Sequence, residues 1–87
     1  MKLLSIGFGN VVAAHRIIAV VSPDAAPIRR LVADAKARHL CIDATGGRKT
    51  QAVLVMDSGH VVLAYQVPEK LVLANGKNIE YTSLNKE

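Results

Sequence analysis

Arg48 and Lys49 stand side by side in a short loop, Gly46-Gly47-Arg48-Lys49-Thr50, set between two apolar runs. Leu40-Cys41-Ile42-Asp43-Ala44-Thr45 precedes the loop and Ala52-Val53-Leu54-Val55-Met56 follows it. Two glycines free the backbone and two cations occupy the tip. Fixed positive charge on a rigid support is how proteins hold phosphate. The ending Lys49-Thr50 imitates a nucleotide-phosphate loop, but the pattern breaks. Arg48 stands where glycine should precede the lysine, Asp43 replaces the opening glycine, and a strand rather than a helix follows. NTP hydrolysis is set aside on those grounds.

Gly7-Phe8-Gly9 after a strand hints at a dinucleotide fold, but Val12 occupies the third small-residue position and the chain has no room for a Rossmann domain. A tight turn explains those glycines better. His39, Cys41 and Asp43 alternate along one strand, yet a single strand does not close a tetrahedron and no second ligand pair has metal spacing. Neither a metal nor another cofactor is expected, and Cys41 reads as a small buried residue. Asp57, Ser58 and His60 hold the letters of a catalytic triad inside one tight turn, where the side chains should splay apart. No enzyme is expected. Arg29, Arg30, Lys36 and Arg38 form a basic helix face that reads equally as a solvated surface. Arg16 is more pointed. It is the one charge in an apolar stretch from Val11 to Val21, so it pairs with an acid or reaches a ligand.

The elements that must position these residues follow from pattern. Lys2 to Ile6 reads as a strand, Gly7 to Asn10 as a turn, and Val11 to Ala14 is ambiguous. Arg16 to Val21 is β-branched and reads as a strand. Ser22 to Pro27 opens a helix that runs to about Arg38, with Pro27 in its first turn and Asp24 near its positive end. Ile28, Leu31, Val32 and Ala35 make its apolar stripe. Leu40 to Thr45, Gln51 to Met56 and Val61 to Val67 are strands, the last two joined by a hairpin turn at 57–60. Glu69 to Ala74 reads as a short helix ended by Asn75-Gly76. The expected class is α+β: a small, mostly antiparallel sheet with one main helix and a short C-terminal helix. The runs at 52–56 and 61–64 do not alternate with polar residues, so both faces of those strands are covered. One helix covers one face. The other requires the C-terminal segment or a second copy of the chain.

Composition sharpens the partner. The chain has 87 residues, read as one domain, with 51% hydrophobic residues and a net charge of +4. Mean hydropathy is +0.25 and the pI about 9.6. That much aliphatic surface in so small a unit predicts self-association. Up to Gln66 the cations Lys2, Arg16, Arg29, Arg30, Lys36, Arg38, Arg48 and Lys49 outnumber Asp24, Asp34, Asp43 and Asp57. Beyond Gln66 the charges cancel, so the excess belongs to the body of the fold and calls for an acidic partner. No run reaches the roughly 18 apolar residues of a membrane helix. Met1 to Ile6 lacks the apolar core of a signal peptide, and a lone Cys41 fits a reducing cytoplasm. Only Phe8, Tyr65 and Tyr81 are aromatic, and no stacking pair is expected among them. That favours duplex backbone contact over RNA base stacking.

Taken together, the blocks Ile6-Gly7-Phe8-Gly9-Asn10, Arg16, Val21-Ser22-Pro23 and Ala26-Pro27-Ile28-Arg29-Arg30 resemble the RemA family of bacterial extracellular matrix regulatory proteins. Ile42-Asp43-Ala44-Thr45, Gly47-Arg48-Lys49-Thr50 and Asp57-Ser58-x-His60-Val61 continue the resemblance in colinear order, over about residues 4 to 66. It implies a DNA-binding transcriptional regulator of biofilm-matrix genes, assembled into a heptameric or octameric ring along which double-stranded DNA bends in a histone-like way. It places DNA contacts on Arg16, Arg48 and Lys49, with Arg29 and Arg30 as secondary candidates. Lys49 and Gln51 stand where the family usually or often has arginine, and Gly46 where it often has an aromatic. Lysine keeps the attraction to phosphate and loses the bidentate fork. The second reading is an interaction module that holds an acidic protein, a phosphorylated ligand or RNA through the same basic patch.

Overall fold

In the computed structural model the described residues are 2–75, with side chains described to Leu71. The aliphatic run Ala52–Met56 forms β5 at the centre of a four-stranded sheet, and Val61–Ala64 forms β6 beside it. Asp57-Ser58-Gly59-His60 reverses the chain between them, and the pair is antiparallel with Leu54 opposite Val62. Ile17–Val21, β3, pairs antiparallel with β5 and makes one edge. Cys41–Asp43, β4, pairs parallel with β6 and makes the other. The sheet order is β3-β5-β6-β4. The parallel pair exists because a helix, α1 (Ala26–Ala37), carries the chain from one edge to the other.

Period two sorts the core into two layers. Val53, Val61 and Leu63 face α1, whose Ala35, Val32 and Ile28 pack on them. Leu31, expected in the same stripe, is exposed at its rim. Ala52, Leu54, Val62 and Ala64 face the other way, onto Leu4, Ile6 and Leu71. The uninterrupted apolar runs are thus covered on both sides within one chain.

Part of the second cover comes from a hairpin that pattern alone did not anticipate. Leu3–Gly7 (β1) and the ambiguous stretch, now Asn10–Ala13 (β2), form a separate two-stranded antiparallel sheet. Leu4 and Ile6 point from it into the core. The C-terminal helix α2 (Pro68–Asn75) packs against β1 and adds Leu71. The C-terminal segment, one of the two expected covers, is thus joined by a hairpin, and this layer needs no second copy. Arg16 ends a short 3-10 turn (Ala14–Arg16) rather than starting a strand. Gly76, expected to end the last helix, and Tyr81 lie outside the described residues.

Candidate nucleic-acid interface

The basic loop hangs between β4 and β5, and both of its ends are tied to β6. The Ala44 N–H donates to the Leu63 carbonyl (2.9 Å) and the Gln51 N–H to the Ala64 carbonyl (2.8 Å). The entry is tightened by a local turn. One Asp43 oxygen accepts from the Thr45 hydroxyl at 2.6 Å and from the Thr45 N–H at 2.9 Å. The Arg48 N–H then donates to the carbonyl of the buried Thr45. Gly46 and Gly47 have φ of +63° and +85°, a region that costs other residues strain.

The hydroxyl and then the amide of Thr45 hold the Asp43 carboxyl below 3.8, its ordinary value. A depressed carboxyl contributes stability that is complete above its unfolded value and lost as pH falls through the folded one. Thr45→Val should therefore be less stable than wild type at neutral pH, with the gap narrowing below pH 3.8. Urea unfolding across a pH series measures it; a gap that stays constant into acid would remove the Asp43–Thr45 turn as its cause. Cys41, on the strand just before, has its thiol pushed up by burial, as suits a packing residue.

Arg48 does not simply project into solvent. Its guanidinium carbon lies 5.6 Å from the centroid of Phe8 and 5.8 Å from that of Tyr65. The two rings are themselves in contact, 4.9 Å apart and tilted by 48°. The expectation that the aromatics form no pair is thus corrected: two of the three converge on the loop. Phe8 sits at the tip of the β1–β2 hairpin with φ of 57°, and the Asn10 side-chain amide donates to Gly7 O across that turn. Tyr65 follows β6. Each ring lies against a glycine. A Cβ on Gly46 would come within 2.8 Å of the Phe8 ring, and one on Gly7 would overlap the Tyr65 ring. The Gly7-Phe8-Gly9 motif therefore shapes this cluster as well as a turn. Sequence reasoning missed Phe8 and Tyr65 as site residues. The only available signal was an aromatic flanked by glycines.

Lys49 is exposed and lines a groove shared with Asp24 and Glu69, carboxylates that offset its field. Arg16 is elsewhere. Its carbonyl accepts from the Asp57 N–H, and Ile17 pairs with Met56, at the far end of β5 from Gln51. The five residues of β5 separate Arg16 from the loop by roughly 15 Å at about 3.3 Å per residue. Within one copy, Arg16 and the loop therefore do not form a single patch. Its Nε donates to Asp57 Oδ1 at 3.0 Å, an exposed pair. Arg29 and Arg30 are exposed on α1, across the sheet from Phe8. Arg29 donates to the Asp24 carbonyl and lines a cleft with Lys36 and Thr50.

The turn after β5 needs one correction. Ser58 and His60 do not splay apart: Ser58 Oγ and His60 Nδ1 are 2.7 Å from each other. Asp57 points instead to Arg16. Among the described residues the hydroxyl–imidazole pair thus lacks the carboxylate that would orient it, and it closes the turn.

Residues 3–73 match the RemA-like family, described as extracellular matrix regulatory protein A-like. The chain belongs to the RemA-like family. A relative from Dictyoglomus turgidum, a regulatory protein by name, is 61% identical over 71 residues, which cover 82% of this chain and 84% of the relative. Another from Bacillus cytotoxicus, also named as a regulatory protein, is 58% identical over 71 residues, 82% of each chain. This RemA-like chain is accordingly a regulatory protein with bacterial relatives. The family match runs past the blocks that first suggested it and takes in Leu71 of α2. Among the described residues, no helix of the RemA-like fold is long and apolar enough to cross a membrane.

Proposed function

We propose that the protein is a cytoplasmic transcriptional regulator of extracellular-matrix genes that binds double-stranded DNA as a ring of seven or eight copies. The observation that carries the reading is the exposed Arg48–Lys49 tip on a loop braced at both ends, in a chain of a matrix-regulator family. One such tip makes few phosphate contacts and binds weakly. A ring repeats it at fixed spacing, so contacts reinforce one another through high effective concentration.

Exposed apolar residues support the assembly. Ile18, 67% exposed beside a bulge, lies on the β3 edge, and Ile42 lies on the β4 edge. Leu3 and Val11 are exposed on the β1–β2 sheet. The two edges of the main sheet are different surfaces, so joining one to the other is a head-to-tail contact, the type that closes into rings. Arg16 and the loop, at opposite ends of β5 in one copy, then recur alternately around the ring. The short loop does not fill a major groove, so selectivity comes from the bendability of the DNA.

Binding of the whole protein to a long duplex, titrated with salt and read with its oligomeric mass, tests this. A ring making 6–10 phosphate contacts should lose about 10³–10⁵ in affinity between about 50 and 200 mM salt. A monomer that ignores duplex DNA would overturn both halves. Preference for RNA or for an acidic protein over duplex in competition would favour the second reading.

A further inference from the structure

We propose that Phe8 and Tyr65 are positioning residues that hold the Arg48 guanidinium in one orientation for its contact with DNA; the inference rests on the DNA-binding reading above. The five arginines of this chain divide into three kinds, and Arg30, exposed on α1, has neither an oxygen partner nor a ring among the described residues. Arg16, Arg29 and Arg38 each donate to a protein oxygen: Asp57, the Asp24 carbonyl and Asp34 respectively. Arg48 is different. Among the described residues its side chain makes no such bond and rests on two aromatic rings instead. Lying over the two rings restrains the guanidinium and leaves its N–H donors open. A carboxylate partner would have fixed the side chain as well, but would have cancelled its charge and occupied its donors.

Three parts of the chain cooperate to make the stack. The hairpin tip brings Phe8, the exit of β6 brings Tyr65, and the loop brings Arg48. Gly7 and Gly46 leave room for the rings, since a Cβ at either position would meet one. Phe8 is half exposed and takes a left-handed φ, an unfavourable place for a large apolar side chain with no task. An arginine ordered before binding loses less freedom on binding, so each contact is stronger for the same charge. Lysine at position 49 lacks the planar group and, among the described residues, the ring partners. The oriented contact of each copy therefore falls to Arg48.

The test uses the whole protein and a fluorescein-labelled duplex. In the free protein, the Arg48 Nε–Hε NMR signal should be shifted upfield by the rings, be identified by its loss in Arg48→Lys, and move to the ordinary position in Phe8→Ala. DNA affinity should fall about two- to thirtyfold per engaged copy in Phe8→Ala, with the salt slope unchanged because every charge remains. Phe8→Tyr should restore it. Arg48→Lys should weaken binding by a similar factor, and adding Phe8→Ala to it should cost almost nothing more. If Phe8→Ala weakens binding equally in both backgrounds, or not at all, the positioning role is overturned while duplex binding stands. If the wild type binds no duplex, the DNA reading falls and the role falls with it, even though the NMR signal still reports the stack.

Discussion

Arg48→Ala is expected to lower affinity for every duplex sequence by about tenfold or more per engaged copy, the scale of one charge-assisted hydrogen bond lost. The salt slope should fall by about one for each phosphate contact removed. The effect should be uniform across sequences if, as proposed, the loop contacts the backbone rather than base edges. It should also be larger than that of Lys49→Ala, since Lys49 shares its groove with Asp24 and Glu69 while Arg48 lies over two rings and has no carboxylate partner among the described residues. Fluorescence anisotropy over a salt series measures both quantities. Unfolding midpoints should hardly change, because Arg48 is exposed and its neighbours in the core are untouched. Unaltered binding would mean that the loop is not the contact surface.

Leu54→Ala is expected to cost about 2–5 kcal/mol of stability, a large part of the roughly 5–15 kcal/mol typical of a whole domain. Leu54 is fully buried at the centre of β5 and sits in the layer formed by Leu4, Ile6, Val62 and Leu71. Its removal leaves a cavity beneath three separate elements, β1, β6 and α2, which do not collapse together to fill it. Urea unfolding measures the loss. A change below about 1 kcal/mol would show that the hairpin layer contributes little to the fold, contrary to the packing. The two substitutions also separate the two kinds of role. One should remove binding from a stable protein, and the other should destabilise a protein whose loop is chemically intact.

Much of this architecture was legible because its causes are local. The helix 26–37 follows from apolar residues at helical spacing after a proline-containing first turn. β5 and β6 follow from aliphatic runs split by Asp57-Ser58-Gly59-His60, and the need for cover on both faces from the lack of alternation. The charged tip of the loop was legible from its glycines and flanks. The family resemblance was legible from short colinear blocks spread along the chain.

What remained hidden depends on contacts between distant residues. The stretch 11–14 carries no strong period, and it becomes a strand only because β1 lies beside it. The identity of the second cover layer followed from that pairing, since a separate hairpin, and not another copy, buries Leu4 and Ile6. Arg16 and Arg48 were both expected to contact DNA, and only the antiparallel register of β3 on β5 shows that they lie at opposite ends of a strand. Phe8 and Tyr65 meet because a hairpin tip and a strand exit converge, and no pattern within either segment encodes that meeting. The sequence by itself determined most of the elements, the excess charge and the cations at the loop tip, because turn chemistry and side-chain period act over a few residues. The tertiary structure alone decided which cation is braced by aromatic rings and which is paired with a carboxylate, because strand register and layer packing are settled only when remote segments share one core.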